Sequence, residues 1–451
     1  MNDYIKAQDI IKIFEQDEPI EQSLNYNGLS LWWFIRPGIL GQDVLQQVTG
    51  EKRDTGKQPF SYFLLLKRVI VGLWRLFWLK KGIKTLVFTR GKDFVDGKDQ
   101  IYGGLFDKLD NDYVAIDFST TKEHMKQCLK RGSRFIPWEA FYFKSMLSVD
   151  VKYEVSKIEQ RLPKLKRKFK LYKQYTKHFK KLISSVRNIE TARLVIRKYG
   201  IKQVLCVDER CSGLTFITAA KLEGIKSYGI QHGLISKINL GYHLWDKVSP
   251  ILPDKTMVWG PVHKGQLLDF GYKPDQVEIV GVPRLENIGG PRLLRSALRD
   301  DHYVVYFAQQ AMTDKMKQDI INTFKKLTDY DFFIKLHPEE KSKVFINAKG
   351  DNYQTYTSAS VEMSIVNCDI VLGNYSTTLM DAAVFNKPII VLNLMATEDI
   401  TGLVDYGLAT EITNLSSLGD ALKKVKVKDN SLYLRQYCLT DNVIDKIMKV
   451  T

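Results

Sequence analysis

The sequence predicts an α/β protein made of two doubly wound, Rossmann-like domains, and three observations predict it. Short β-branched and apolar runs alternate with segments of helical spacing, once over about 84–283 and again over about 302–392. Between the two blocks, NIGGPRLLR (287–295) has the Gly/Pro punctuation of a linker. At 451 residues the chain also exceeds what one ordinary core holds. The expected domains are 1–295 and 296–451. The first carries a helical lead-in over 1–82 and a basic helical insertion over 151–190, and the last helix of the second is able to pack back.

Hydrophobic residues at 44% and charged residues at 26% are globular proportions, which excludes a disordered chain. A formal net charge of +16 calls for an anionic partner: nucleic acid, a phospholipid surface or a phosphorylated substrate. No zinc-finger or RRM signature accompanies that charge, so nucleic acid is not the expected partner. The five cysteines are scattered and odd in number, and Cys206 and Cys211 lack the partners of a zinc site. Reduced thiols are expected. The first residues, MNDYIKAQDIIKIFEQDE, lack the apolar core of a signal peptide, so the protein is expected inside the cell.

Within the lead-in, Trp32, Trp33 and Phe34 read as core. The stretch FSYFLLLKRVIVGLWRLFWLKK (60–81) nearly reaches bilayer-spanning length, but Lys67, Arg68, Arg75 and Lys80 interrupt it and argue against a span. It suits a helix in the membrane interface or one buried between domains. KTLVFTR (84–90) and YVAIDF (113–118) are strands. Residues 151–187 hold thirteen Lys/Arg against two Asp/Glu, which predicts a long basic helix or a helical pair broken near Pro163. Such a face is either simply solvated or a patch for anionic lipid or another polyanion. QVLCVDE, SYGIQHG, TMVWG and VEIVGVP continue the first sheet. HYVVYFA, DFFIKLHP, DIVLG and PIIVL form the second.

Ligands of open α/β sheets bind beyond the carboxyl ends of the strands, and four polar clusters fall there. Asp208, Glu209 and Arg210 follow QVLCV; Gln231, His232 and Gly233 follow SYGI. Lys335, His337, Pro338 and Glu339 end DFFIKLHPEE; Asn374, Ser376, Thr377 and Thr378 follow DIVLG. Gln309, after HYVVYFA, joins the donor-side candidates. STTLMDAAVFN reads as a helix whose first residues are hydroxylated. Ser376–Thr378 therefore form either an ordinary N-cap or an anion site, where free N–H groups, the helix dipole and three hydroxyls converge.

QHG at 231–233, KLHPEE at 335–340 and GNYSTTLMDA at 373–382 together resemble the GT-B glycosyltransferase-type enzymes of bacterial surface polysaccharides. The match is to the CDP-glycerol glycerophosphotransferases and to the sialyl- and Kdo-type transferases with an HP motif and a Ser/Thr motif. The resemblance covers about 203–392. It implies two domains facing across a cleft, with acceptor-side groups in the first and a cytidine-nucleotide donor on the second. His337 would then contact the phosphate or cytidine, with Ser376, Thr377 and Thr378 on the phosphate and Lys335 adding positive charge. His232 stands where the glycerophosphotransferases place their base, with Gln in place of Trp before it. Asp208–Glu209 stands nearest the acidic motif of the sialyltransferases, with Arg210 in place of Gly.

The expected function is inverting transfer of a sugar or polyol phosphate to a glycan acceptor, lipid-linked at the inner face of the membrane, in capsule, lipopolysaccharide or teichoic-acid-like synthesis. No cofactor is expected, and a divalent cation is not required. A UDP-sugar 2-epimerase-like isomerase and a non-enzymatic basic protein that binds membrane or polyanion are the alternatives.

Overall fold

A computed structural model describes residues 2–17, 20–44, 48, 62–79, 82–95, 98–110, 112–119, 121–169, 173–207, 210, 212–237, 239–244, 248–286, 302–309, 312–337, 340, 342–356, 360–395 and 397–451. The chain divides into two compact units, Met1–Arg284 with Ile444–Thr451, and Leu285–Val443.

The first unit holds a seven-stranded sheet. Its strands are β1 (Thr85–Arg90), β2 (Tyr113–Phe118), β3 (Phe135–Pro137), β4 (Gln203–Val207), β5 (Lys226–Ile230), β6 (Lys255–Val258) and β7 (Val277–Ile279). The order is β7-β6-β5-β4-β1-β2-β3, and every pairing is parallel. β1 is buried at all six residues, as expected of a central strand covered on both faces. The order reverses direction between β1 and β4, which makes that pair the switch point.

The lead-in belongs to this unit. Helix α1 (Asn2–Asp17) brings Glu15 to the Trp32 indole N–H and to Arg36, 2.7 Å away, while Trp32 and Trp33 are buried as predicted. Helix α2 (Tyr62–Trp78) packs on α4 (Trp138–Ser145), and Gly72 lets the two approach closely. A Cβ there would sit 2.4 Å from that of Ala140. The basic segment is two helices, α5 (Val149–Lys168) and α6 (Lys180–Tyr199). The expected break at Pro163 is absent, because Pro163 lies on the exposed side of α5 while Val151, Val155, Ile158 and Leu162 hold the buried stripe. The helix instead ends at Phe169, whose ring is buried against Phe14 and Phe179. Helix α3 (Lys122–Leu129), α7 (Leu214–Leu222) and α8 (Pro261–Asp269) complete the unit's covering layers.

The second unit repeats the plan with six parallel strands. They are β8 (His302–Phe307), β9 (Tyr330–Lys335), β10 (Tyr353–Tyr356), β11 (Ile370–Gly373), β12 (Ile389–Leu392) and β13 (Ala409–Ile412), in the order β10-β9-β8-β11-β12-β13. Its helices are α9 (Asp314–Lys326), α10 (Val361–Asn367), α11 (Thr377–Val384), α12 (Leu418–Lys424) and α13 (Ser431–Tyr437). The chain closes with two helices, α13 and α14 (Val443–Val450), and Asn442 adopts a left-handed conformation (φ 52°) just before the second. Most of α14 belongs to the first unit, where Lys108 lies 3.2 Å from Asp445 and the Tyr228 hydroxyl donates to the Thr451 carbonyl. The cysteines Cys128, Cys206, Cys368 and Cys438 are buried thiols in no disulfide; Cys211 lies outside the described residues.

Candidate functional site

In the second unit the strand order reverses between β8 and β11, so a ligand crevice is expected beyond the carboxyl ends of those two strands. Gln309 follows β8, and Asn374, Ser376, Thr377 and Thr378 follow β11. The motif GNYSTT therefore sits at the switch point of its own domain. Gly373 is packed tightly at that edge. A Cβ would meet Leu379 at 3.3 Å and the Phe307 carbonyl oxygen at 3.4 Å, so β11 enters its turn close against β8.

Ser376 occupies the N-cap position of α11 in extended backbone (φ −158°, ψ 163°), yet its side chain makes no capping hydrogen bond. Elsewhere in the same unit the hydroxyls of Thr313, Ser342 and Ser360 each accept from a first-turn N–H. Ser376 is thus at the N-cap position without capping by its side chain. Helix geometry leaves the first-turn N–H groups without intrahelical acceptors, and the helix dipole adds positive potential there. Asn374 is buried next to them. Its Nδ2 donates to the Leu392 carbonyl at 2.6 Å, while its Oδ1 is buried with no hydrogen-bond partner among the described residues. An orphaned acceptor in that position costs free energy unless a ligand donates to it. Tyr375 turns away, its hydroxyl donating to Glu411 at 2.8 Å.

Lys335 and Leu336–His337 lie at the end of β9, the strand beside β8. The Lys335 ammonium sits 5.3 Å from the Tyr356 ring centroid. The loop that carries His337 is clamped from behind. Glu340 donates its N–H to the His337 carbonyl (2.9 Å), and its carboxylate meets Lys317 of α9 at 2.8 Å and accepts from Ser342 N–H at 2.8 Å. Both side chains of the Lys317–Glu340 pair are buried. Sequence reasoning missed Lys317 as part of this device. The signal was its spacing, since Lys317, Ile320, Ile321 and Phe324 share the buried face of α9. Pro338 and Glu339 lie outside the described residues.

In the first unit Gln231 braces two strand ends. Its Oε1 accepts the Trp259 N–H (2.8 Å), and its Nε2 donates to the Gly233 carbonyl (2.9 Å), tying the end of β5 to that of β6. That brace sets the turn from which half-buried His232 projects. Arg210 is buried, with Nε donating to the Gly241 carbonyl and Nη1 to that of Ile251, and its guanidinium 4.7 Å from the Trp33 ring centroid. Arg36 is 4.8 Å from the same ring, so Trp33 meets two cations. Arg210 thus joins Trp33 of the lead-in to Gly241 and Ile251, a task the sequence did not reveal. Asp208 and Glu209 lie outside the described residues.

Two parallel-sheet Rossmann-like domains, with an N-terminal helical extension before the first, define the GT-B fold. No family model matches the chain. No curated protein matches it either. Among solved structures it is similar to the UDP-GlcNAc 2-epimerase of Neisseria meningitidis bound to UDP-GlcNAc, at 14% identity and TM-score 0.51, over 81% of this chain and 98% of that one. The UDP-GlcNAc 2-epimerase of Methanocaldococcus jannaschii is similar at 13% identity and TM-score 0.51, over 81% and 99%. The glycosyltransferase SnogD of Streptomyces nogalater aligns at 10% identity and TM-score 0.47, over 82% and 99%. At these identities the likeness is one of fold.

Proposed function

We propose that the protein is a transferase. It moves a sugar or polyol phosphate from a nucleotide-activated donor, with a cytidine nucleotide favoured, to a glycan acceptor of a bacterial surface polysaccharide, inverting the reacting centre of a sugar donor. The observation that carries this is the start of α11, where Ser376 is at the N-cap without capping and the buried Asn374 Oδ1 has no partner, at the switch point of the second sheet.

In the reaction the acceptor hydroxyl oxygen bonds to the reacting carbon, or to phosphorus for a polyol phosphate, as the bond to the nucleotide's phosphate oxygen breaks. The leaving nucleotide keeps the electron pair. Hydroxyls, first-turn N–H groups and the His337 and Lys335 side chains supply what the growing negative charge on that phosphate needs. The acceptor's proton goes to a base, for which His232 is the candidate within the described residues, with Asp208 and Glu209 as the carboxylate alternative. The preference for cytidine and for a surface-glycan acceptor is supported by the HP and Ser/Thr motifs.

A UDP-sugar 2-epimerase is the second reading, favoured by the two epimerases that match at TM-score 0.51. Thermal-shift measurements with CMP, CDP, UMP and UDP separate the readings, since a ligand raises the melting point only of a fold that binds it. Stabilisation by cytidine nucleotides supports the transferase. Stabilisation by UDP alone supports the epimerase, and no shift with any of the four supports a non-enzymatic basic protein.

A further inference from the structure

Helix α2 is turned inside out relative to its composition. Its two arginines face the domain: Arg68 is 0% exposed and Arg75 7%. Arg75 donates to the carbonyls of Phe135, Leu129 and Arg131 at 2.6–3.0 Å. Much of its apolar surface faces outward, although Leu64 and Leu76 are buried. Phe63, Leu66, Ile70, Trp74 and Phe77 follow one another at helical spacing and are 58–81% exposed. Exposed Phe143, Leu147 and Val149, at the end of α4 and the start of α5, add to this apolar surface. Patches of this size on a folded surface mark an interaction site.

Beside the stripe runs a groove between α2, α4 and α6, about 340 Å³ in its outer part. Leu73, Leu76 and Phe77 line one side, and Phe141, Leu194 and Val195 line its inner continuation. Lys144 and Lys198 line both parts, and no carboxylate lines either. Neither lysine has an ion-pair partner among the described residues. They approach closely enough that the neighbouring Lys198 amine, with partial burial, lowers the pKa of Lys144 below the ordinary lysine value. Two adjacent ammonium groups at the rim of an apolar channel leave an anion-shaped gap in the electrostatics.

We infer that this face docks on an anionic membrane leaflet, with a lipid phosphate on Lys144 and Lys198, its hydrocarbon chain in the groove, and the α2 stripe in the interface. Seventeen residues make a helix of about 25 Å, shorter than the roughly 30 Å hydrocarbon core. Among the described residues no helix is long and apolar enough to cross a membrane. The helix therefore lies along the surface. Charge complementarity selects the occupant. α2 contains no acidic residue, and Lys67 on α2 with Lys152, Lys164 and Lys168 on α5 is exposed. A second copy in an isologous contact centred on the groove would bring four ammonium groups together with no carboxylate among them. The inference does not depend on the transferase reading.

The test is co-sedimentation of the full chain with vesicles of phosphatidylcholine alone and of phosphatidylcholine with phosphatidylglycerol, with light scattering on the protein alone. Wild type is expected to bind the anionic vesicles and to stay monomeric. Lys144→Glu/Lys198→Glu and Trp74→Glu/Phe77→Glu are each expected to weaken binding about tenfold or more while keeping a cooperative melt. Equal binding to both vesicle types, or no loss in the lysine double variant, overturns the lipid-phosphate site. A wild-type dimer that the Trp74/Phe77 variant dissociates, without vesicle binding, overturns the membrane in favour of a second copy. Inorganic phosphate should shift the melting point of wild type and of Lys144→Glu/Lys198→Glu equally, and a larger rise in wild type would mean a soluble anion on the lysines instead of a lipid.

Discussion

Arg68 Nη2 lies 2.9 Å from Glu139 Oε2, with the guanidinium wholly out of water and its edge also donating to the Asp117 carbonyl. An apolar helix without a single acidic residue is thus fastened to its domain by charge. Removing one partner of such a pair leaves the other uncompensated. Arg68→Ala is expected to destabilise the protein by about 3–5 kcal/mol, read as a lowered denaturant midpoint. A loss below ~1 kcal/mol would mean that α2 is not seated through Arg68.

Gly72 tests the same seat by packing. A Cβ there falls 2.4 Å from that of Ala140, so any side chain must push α2 off α4. Gly72→Val should cost about 1–3 kcal/mol. Restoration by Gly72→Val with Ala140→Gly would show that the contact itself is responsible, and equal loss in both would argue against it.

The buried Lys317–Glu340 pair positions the loop that carries His337. Lys317→Met strands the Glu340 carboxylate and should destabilise the protein by about 3–5 kcal/mol. Replacing both by apolar residues should recover most of that stability. Nucleotide affinity should stay weakened in the double variant, since the clamp on the loop is gone. Full recovery of affinity along with stability would show that the pair has no positioning role.

Two histidines set an acid limit. His243 Nδ1 accepts from Gln8 Nε2 and its Nε2 donates to the Lys237 carbonyl, both at 3.1 Å, an arrangement that only the neutral ring satisfies. Burial lowers its pKa to about 4, and burial also lowers that of His263 to about 4. The unfolded chain takes up these protons near pH 6.5 and the folded one only near pH 4, so their contribution to stability is complete above about pH 6.5 and falls away as the pH drops toward 4. Melting temperature should decline across that window, and His243→Gln should flatten the decline. An unchanged slope in that variant would remove His243 from the account.

The two sheets were legible because their central strands carry unbroken apolar stretches, as in Leu86–Phe88 and Ile370–Leu372. The edge strands β3, β10 and β13 went unread, since they are short and Tyr353–Tyr356 is nowhere fully buried. Of the site, GNYSTT was legible because a hydroxyl run after an apolar strand marks a helix start. The bracing contacts of Gln231 and Arg210 were not, because carbonyl partners such as Gly241 and Ile251 carry no sequence signature. Composition also concealed which way α2 faces: the hydropathy of a helix does not say which of its sides meets the sheet.

On the proposed function, the start of α11 holds the phosphates of a nucleotide. Calorimetric titration of CDP into wild type and into Ser376→Ala/Thr377→Ala measures this at the site. Binding by wild type that weakens about a hundredfold in the double variant, with the melting temperature unchanged, is the predicted result. CDP affinity equal in the two proteins would contradict it.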